Sequence, residues 1–186
     1  MTVIEFLPAA PAYYTKILGP VLVDNGHLMT VDNSNTFSSW GDWTEEPEFK
    51  MTHPVVIENN YSREEGRYVP GEIEFGVAEA DLFLHFREYH NFNEADNMRV
   101  NAKVFDTLKS GGEYVVVDHT RRHMQPETGV LGRREDPVDV ILQVQRAGFV
   151  LDRASTMFFE ESDDLSKEVG QIPNMTDRFF LVFKKP

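Results

Sequence analysis

The sequence predicts an α/β fold in which strands and helices alternate around a doubly wound, mostly parallel sheet. Two observations lead to this prediction. Apolar runs of strand length recur along the 186 residues, and between them the apolar spacing changes to three and four residues, which is typical of amphipathic helices. A hydrophobic content of 41% is enough to build a core. We therefore expect one domain over residues 1–186.

The chain opens with a predicted strand, helix and strand. Val3 to Leu7 is a short apolar run that ends at Pro8, as a buried strand does. A helix follows and ends at Asn25-Gly26, and Pro20 should kink or shorten it. The apolar face predicted for this helix consists of Tyr13, Tyr14, Ile17, Leu18, Val21 and Leu22. His27 to Asp32 is the second strand, and a right-handed crossover makes the two strands parallel.

The pattern is weakest from residue 33 to residue 76. Residues 33–53 lack periodicity and are predicted as loop with one irregular helix. Pro54 to Glu58 is predicted as a weak strand. Asn59 to Gly76 is rich in Gly, Pro and charged residues, which predicts a long loop, with a flap as one interpretation.

The signal becomes sharper after this loop. Asp81 to Phe86 is predicted as a strand, and Asn93 is positioned to cap a helix. The apolar face predicted for that helix consists of Met98, Ala102, Phe105 and Leu108. Ser110-Gly111-Gly112 then turns the chain into Glu113 to Asp118, which has the composition of a fully buried strand.

The last elements are a helix and two strands. Asp136 and Pro137 begin the helix, and Gly148 ends it. Its predicted apolar face consists of Val138, Ile141 and Leu142. Phe149 to Met157 and Arg178 to Lys184 are predicted as strands.

Composition excludes several classes of site and partner. Without cysteine there is no disulfide, thiolate metal site or cysteine nucleophile. A formal net charge of -13 argues against nucleic acid, whose binding requires Lys and Arg to displace counterions. No leader or membrane-spanning window is apparent. We expect a cytoplasmic protein whose partner is a small molecule.

The segment LKSGGEYVVVDH (Leu108 to His119) resembles the turn and fifth strand of class I S-adenosylmethionine-dependent methyltransferases. Together with ADLFLHFREYHNF (Ala80 to Phe92), RAGFVLD (Arg146 to Asp152) and the final DRFFLVFKKP, it is similar to bacterial proteins described as predicted methyltransferases. Their nucleotide loop aligns with TVIEFLPAAPAYYTKILGPVL near the start. The resemblance implies a Rossmann-like sheet of seven strands with an antiparallel last strand, and S-adenosylmethionine bound across the carboxyl ends of the first strands.

The resemblance also implies which residues contact the cofactor. Glu5 ends the first strand and Asp32 the second, where a carboxylate would accept hydrogen bonds from ribose hydroxyls. The alternative for both is that they cap a nearby helix. The complete predicted cofactor set is Glu5, Ala9, Ala10, Asp32, Asp81 and His85.

Three departures from the family bear on methyl transfer. Ala9, Ala10, Pro11 and Ala12 replace glycines, and a Cβ at a left-handed position costs about 1 kcal/mol, so either binding weakens or the loop changes shape. The chain begins at strand one without the helix that precedes it in the family, which leaves a wall open and favours a homodimer that covers it. The segment from Leu131 to Asp136 lacks the histidine of the family.

Candidate catalytic residues follow strands four and five. The first group is His85, Arg87, Glu88, Tyr89 and His90, and the second is Asp118, His119, Arg121, Arg122 and His123. Because an imidazole held by a carboxylate is a general base, we predict that His90 with Asp118 or His119 forms the base site. Arg87 is the predicted anchor of an anionic substrate. The alternatives are that His85 lies in the core and His123 on a loop.

No metal site is expected, since no HExxH or other close ligand spacing occurs. Two functions remain. One is methyl transfer from S-adenosylmethionine to a small, anionic molecule. The other retains the fold without methyl transfer, as a lyase, cyclase or isomerase, or as a non-catalytic binding module.

Overall fold

The computed structural model describes residues 1–186 and contains nine strands and four α-helices. The strands are β1 (Thr2–Phe6), β2 (His27–Asp32), β3 (Thr52–Val56), β4 (Asn59–Ser62), β5 (Arg67–Pro70), β6 (Ala80–Phe86), β7 (Leu108–His119), β8 (Val150–Ser155) and β9 (Arg178–Lys184). The helices are α1 (Thr15–Leu22), α2 (Ser34–Ser39), α3 (Glu94–Thr107) and α4 (Pro137–Arg146). Short 3₁₀ turns lie at 42–45, 47–49, 89–91 and 169–171. No helix is both long and apolar enough to cross a bilayer.

Seven strands form one sheet in the order β3-β2-β1-β6-β7-β9-β8. β9 runs antiparallel to both of its neighbours, and the other pairings are parallel. The predicted seven-stranded, mostly parallel sheet with an antiparallel last strand is therefore confirmed. The strand order reverses between β1 and β6, and ligands of open α/β sheets bind outside the carboxyl ends at such a point.

Both faces of the sheet are covered, so successive residues of the central strands are buried on opposite sides. Tyr114 and Val116 belong to a core of 22 buried residues on the face that α3 and α4 cover. Val115 and Val117 belong to a cluster of seven, which includes Leu22 of α1. This two-sided burial is the reason why β7 has the nearly continuous apolar run that predicted it.

The predicted apolar face of α1 is confirmed only in part, because Leu22 is buried and Leu18 packs against the same cluster of seven residues. Tyr13, Ile17 and Val21 are 64%, 49% and 74% exposed, whereas Thr15 and Gly19 are buried. A Cβ at Gly19 would lie 2.5 Å from the Phe49 ring in the 3₁₀ turn at 47–49. The absence of a side chain at Gly19 therefore lets the helix pack closely against this turn.

The predicted face of α3 was wrong, since Met98, Ala102 and Phe105 are not its buried residues. The buried side includes Asn97 and Asn101. Asn101 Nδ2 donates to the Tyr89 hydroxyl at 2.9 Å, and the Tyr114 hydroxyl donates to Asn101 Oδ1 at 3.0 Å. Leu108, the fourth predicted residue, is buried but begins β7. The apolar core contacts of α3 are Val100 and Val104, both fully buried. The polar network lies beside them, because buried amides are tolerated once they are hydrogen-bonded.

The ends of α3 and α4 agree with the sequence, but the buried face of α4 does not. The Asn93 side chain accepts from Asp96 N, and that of Asp136 accepts from Val138 N. The core contacts of α4 are Val140 and Val144, both fully buried. The residues predicted for them were Val138 and Leu142, which are 37% and 48% exposed, and Ile141, which packs at the core edge.

The segment predicted as loop from 59 to 76 contains a two-stranded antiparallel hairpin of β4 and β5. Gly66, at φ 65°, lies in its turn, which needs the left-handed conformation that glycine adopts easily. Tyr68 packs from this hairpin against Phe92. The hairpin therefore rests on the carboxyl edge of the sheet.

Candidate active site

The loop between β1 and α1 keeps a left-handed backbone without glycine. Leu7, Ala9 and Ala12 have φ values of 56°, 56° and 49°. A side chain in this conformation costs on the order of 1 kcal/mol. Weaker cofactor binding and a changed loop shape both stay predictions. Leu7 was not among the predicted substitutions, since the sequence alone does not reveal which loop residues adopt positive φ.

Glu5 is buried at the end of β1, and its Oε2 accepts from the Thr15 hydroxyl at 2.7 Å. Burial raises the pKa of this carboxyl to about 7, against the lowering effect of Thr15. Thr15 is the first residue of α1. Glu5 therefore fastens the helix to the strand while still lining the cleft described below.

Asp32 ends β2 and holds the loop by backbone hydrogen bonds. Its Oδ2 accepts from Ala9 N at 3.1 Å and its Oδ1 from Asn33 N at 2.6 Å. Burial raises its pKa. The space beside this carboxylate is only about 50 Å³, and Tyr68 of the hairpin is among the residues that bound it.

The main cleft has a volume of about 720 Å³ and opens at the carboxyl ends of β1 and β6. Its apolar wall includes Tyr14 and Phe86, whose ring centroids are 4.5 Å apart. Arg87 and Arg178 also line it, and neither forms an ion pair with a carboxylate. The Nε of Arg178 is buried without a hydrogen-bond partner. The cleft therefore presents two guanidinium groups to a ligand.

Arg178 was missed as a site residue because it was assigned only as the start of the last strand. Its position at the carboxyl edge follows from the antiparallel direction of β9, which puts the beginning of that strand where the others end. Arg178 pairs in register with His119 at the end of β7. The sequence could have indicated this position, because the resemblance implied an antiparallel last strand and Arg178 is a charged residue at its start.

Glu88 lines both the main cleft and the narrow space beside Asp32. Asn91 Nδ2 donates to its Oε2 at 2.6 Å. Burial raises the pKa of this carboxyl to about 7. Glu88 can therefore exchange a proton near neutral pH.

His90 and Asp118 form the predicted pair. His90 Nδ1 lies 2.8 Å from Asp118 Oδ1, and the backbone N–H groups of His90 and His119 also donate to this carboxylate. Burial acts to lower the pKa of His90, but attraction to Asp118 outweighs it and the pKa is raised. Asp118 is fully buried and ties the segment after β6 to the end of β7.

His119 links this pair to the cleft. Arg87 Nε donates to His119 Nε2 at 3.4 Å, whereas His119 Nδ1 is buried without a partner. Burial lowers the pKa of His119 to about 4, so its ring is neutral at pH 7. A neutral ring with its acceptor nitrogen toward Arg87 can orient the guanidinium.

Several predicted residues lie elsewhere. His85 is fully buried with its Nδ1 3.1 Å from the Tyr114 hydroxyl, and burial lowers its pKa to about 3. Asp81 contacts Thr2 N and Lys109 at the amino end of β6, which is the opposite edge of the sheet from Asp32. His123 lies on a loop and pairs with Asp136.

The predicted catalytic and cofactor-binding residues thus fall into two groups, those that line the main cleft or the space beside Asp32 and those that line neither. Glu5, Ala9 and Arg87 line the main cleft, and Asp32 with Ala9 lines the space beside it. The predicted residues that line neither are Ala10, Asp81, His85, His90, Asp118 and His119. Asp81 is displaced because it begins its strand rather than ending it, and His85 because its side chain points into the larger core face.

No protein-family model and no curated protein sequence matches this chain. In three dimensions it is similar to methyltransferases. Human N-acetylserotonin methyltransferase in complex with S-adenosylmethionine has a TM-score of 0.64 at 11% identity, over 99% of this chain and 47% of that one. S-adenosylmethionine-dependent methyltransferases from Aquifex aeolicus and Methanosarcina mazei have TM-scores of 0.65 and 0.66, at 14% and 12% identity. They are matched over 81% and 92% of their own length and 98% and 99% of this chain.

At these identities the similarity establishes the fold, which is that of class I S-adenosylmethionine-dependent methyltransferases, as the resemblance implied. The chain spans about half the length of the human enzyme.

The residues at this edge fit S-adenosylmethionine in their chemistry. Asp32 offers carboxylate oxygens at the end of β2, and the main cleft has an apolar wall and two guanidinium groups. The space is narrow only beside Asp32, where Tyr68 must turn aside to admit a nucleoside.

Proposed function

We propose that this protein transfers a methyl group from S-adenosylmethionine to a small anionic molecule. The observation that carries the proposal is the main cleft, which is lined by Arg87 and Arg178, neither of which has a carboxylate ion-pair partner, and also by Glu5 and Glu88. Such a site favours an anion, because guanidinium groups form paired contacts to carboxylate or phosphate. The methyltransferase fold supports the choice of reaction.

S-adenosylmethionine supplies, when bound, an electrophilic methyl group on its sulfonium. Asp32 would accept hydrogen bonds from the ribose hydroxyls, as the sequence resemblance implies. Glu5, Ala9 and Ala10 were assigned to the same cofactor, and of these Glu5 and Ala9 line the cleft. Tyr14 and Phe86 exclude water from the reacting groups.

Arg87 and Arg178 bind the acceptor and orient it. The methyl group goes to a hydroxyl or amine of the anionic acceptor, and Glu88 accepts the proton that this oxygen or nitrogen loses, because its pKa of about 7 suits proton transfer near neutral pH. The predicted base role of His90 stays a prediction. Its contacts favour a positioning role, in which Asp118 holds His90 and His119, and His119 orients Arg87.

The acidic composition supports a small molecule, rather than nucleic acid, as the acceptor. A homodimer is also part of the proposal, since Tyr13, Ile17 and Val21 are exposed on α1 and such a patch is usually covered. Light scattering after gel filtration measures the mass, and a monomer at all concentrations contradicts the dimer. A cytoplasmic location agrees with the lack of cysteine.

Calorimetric titration with S-adenosylmethionine and S-adenosylhomocysteine tests cofactor binding. We expect binding of both, and we expect Asp32→Ala to weaken it at least tenfold. Absence of binding by either compound overturns the proposal and favours the alternative, a protein of this fold without methyl transfer.

A methyl-labelled assay tests the reaction against small carboxylates and phosphates that also carry a hydroxyl or an amine, with their amides and neutral esters as controls. We expect transfer only to the anions, and Arg178→Gln should raise KM more than it lowers kcat. Titration of the variant with S-adenosylhomocysteine separates acceptor binding from cofactor binding. Weakened cofactor binding would assign Arg178 to the cofactor carboxylate and contradict its role with the acceptor.

A further inference from the structure

A second cavity of about 360 Å³ lies between the beginnings of α3 and α4 and the segment after β7. It shares no residue with the main cleft. Its volume falls within the roughly 300–1,000 Å³ of small-molecule sites. The residues that matter for its chemistry are Arg67, Asn97, Arg121, Glu135, Asp139 and Gln143.

Two acceptor groups of this cavity lack partners. Asn97 is 2% exposed, and its Nδ2 donates to the Tyr89 carbonyl at 3.1 Å, but its Oδ1 accepts nothing. Glu135 is 9% exposed, and no hydrogen bond stabilises its carboxylate. Buried polar groups are nearly always hydrogen-bonded, so a group left open in a cavity indicates a ligand or solvent.

An unpartnered donor lies in the same cavity. Arg121 donates through Nη1 to the Gln125 carbonyl at 2.8 Å, whereas its Nε is buried without a partner. No carboxylate forms an ion pair with Arg121. The other arginine, Arg67, is engaged by Glu127 and by the carbonyls of His90 and Phe92. Arg121 is therefore the cation available to an anionic ligand group.

These open groups are complementary to a zwitterion. A protonated amine donates to Glu135 and Asn97 Oδ1, and a carboxylate accepts from Arg121. Arg121 N donates to the Glu135 carbonyl at 2.8 Å, so the two residues of opposite charge are neighbours in the wall of the cavity. We propose that this cavity binds a free α-amino acid through its amine and its carboxylate, at a site separate from the methyl-transfer cleft.

Thermal unfolding with each of the twenty proteinogenic L-amino acids tests the site. At about 10 mM ligand, a Kd near 1 mM raises the Tm by roughly 3 to 5 °C. We expect at least one amino acid to do so. The amine and the carboxylic acid that correspond to it, each lacking the other charged group, should give no more than a third of the shift. No shift with any amino acid indicates a solvent-filled cavity and overturns the proposal.

Two variants locate the binding. Glu135→Gln and Arg121→Lys should each weaken binding at least tenfold, whereas Glu74→Gln makes the same change as the first at an exposed ion pair with Lys103 and should leave it unchanged. Unaltered binding in both cavity variants contradicts the assignment. Titration of these variants with S-adenosylhomocysteine distinguishes the two sites. Loss of amino-acid binding at this cavity should leave S-adenosylhomocysteine binding at the main cleft unchanged.

Discussion

The two ends of the cleft differ in how their polar groups are satisfied. At the ends of β1 and β2, Glu5 and Asp32 hold their own loop and helix by hydrogen bonds. At the end of β6 and the beginning of β9, Arg87 and Arg178 have no carboxylate partner. The first region therefore maintains backbone shape, and the second offers charge to a ligand.

The difference shows that backbone shape and ligand chemistry depend on different residues at one edge of the sheet. The loop has a left-handed conformation at Leu7, Ala9 and Ala12, none of which is glycine. The His90–Asp118 pair lies beneath the surface that a ligand would touch. The four predictions that follow test the two regions, from the largest expected effect to the smallest.

The buried ion pair of Arg134 and Asp163 supports the charged end. Both side chains are fully buried, and Asp163 also accepts from Asp177 N, next to Arg178. Arg134→Met leaves a buried carboxylate uncompensated and should destabilise the protein by about 3–5 kcal/mol. Urea unfolding measures the loss. Breaking the exposed pair with Arg133→Gln should cost at most about 1 kcal/mol, and equal losses contradict the assigned role.

The second prediction concerns pH. Because the pKa of Glu88 rises from 4.5 to about 7 on folding, the folded state binds more protons than the unfolded state between these values. The contribution of Glu88 to the stability of the wild type therefore falls as pH rises through this window. The Glu88→Gln variant has no carboxyl group that must lose this proton. Its free energy of unfolding should therefore increase relative to that of the wild type as pH rises, by about 3 kcal/mol above pH 7. Urea unfolding from pH 4 to 8 measures it, and a difference independent of pH contradicts the shift.

The third prediction concerns the narrow space beside Asp32. Tyr68→Ala should enlarge it and tighten S-adenosylhomocysteine binding several-fold, as calorimetry measures. Tyr61→Ala on the same hairpin is the control, because Tyr61 is 57% exposed and does not bound that space. Weaker binding in Tyr68→Ala would instead make Tyr68 a ligand contact.

The smallest effect is expected in the loop itself. Ala9→Gly should stabilise the protein by up to about 1 kcal/mol, because relief of left-handed strain exceeds the added entropy of the unfolded chain. Ala10→Gly makes the same change where φ is not positive and should destabilise by about 0.5–1 kcal/mol. Chemical unfolding distinguishes the two, and the same sign for both contradicts the strain.

Much of the fold could be predicted because its signals are local. The bounds of β2 and β9 agree with their apolar runs, and the cap residues Asn93 and Asp136 begin their helices. The burial of Asn101 in α3 could not be predicted, because its hydrogen-bond partners Tyr89 and Tyr114 belong to other elements.

The candidate site was predictable in part for the same reason. Strand ends indicate which side chains share an edge, and this brought His90 and Asp118 together. The positions of the strand ends did not indicate that His90 and Asp118 are buried, since their burial depends on the packing of segments distant in sequence. Arg178 was missed because only the direction of β9 brings it to the cleft.

The position of β9 has a consequence for folding during synthesis. β9 is inserted between β7 and β8, both of which precede it in the chain. While the protein emerges from the ribosome, the edges of β7 and β8 that later pair with β9 therefore have unpaired backbone groups, which can pair with other chains. The sheet closes only when Arg178–Lys184 arrives, so the guanidinium of Arg178 is among the last parts of the cleft to be assembled.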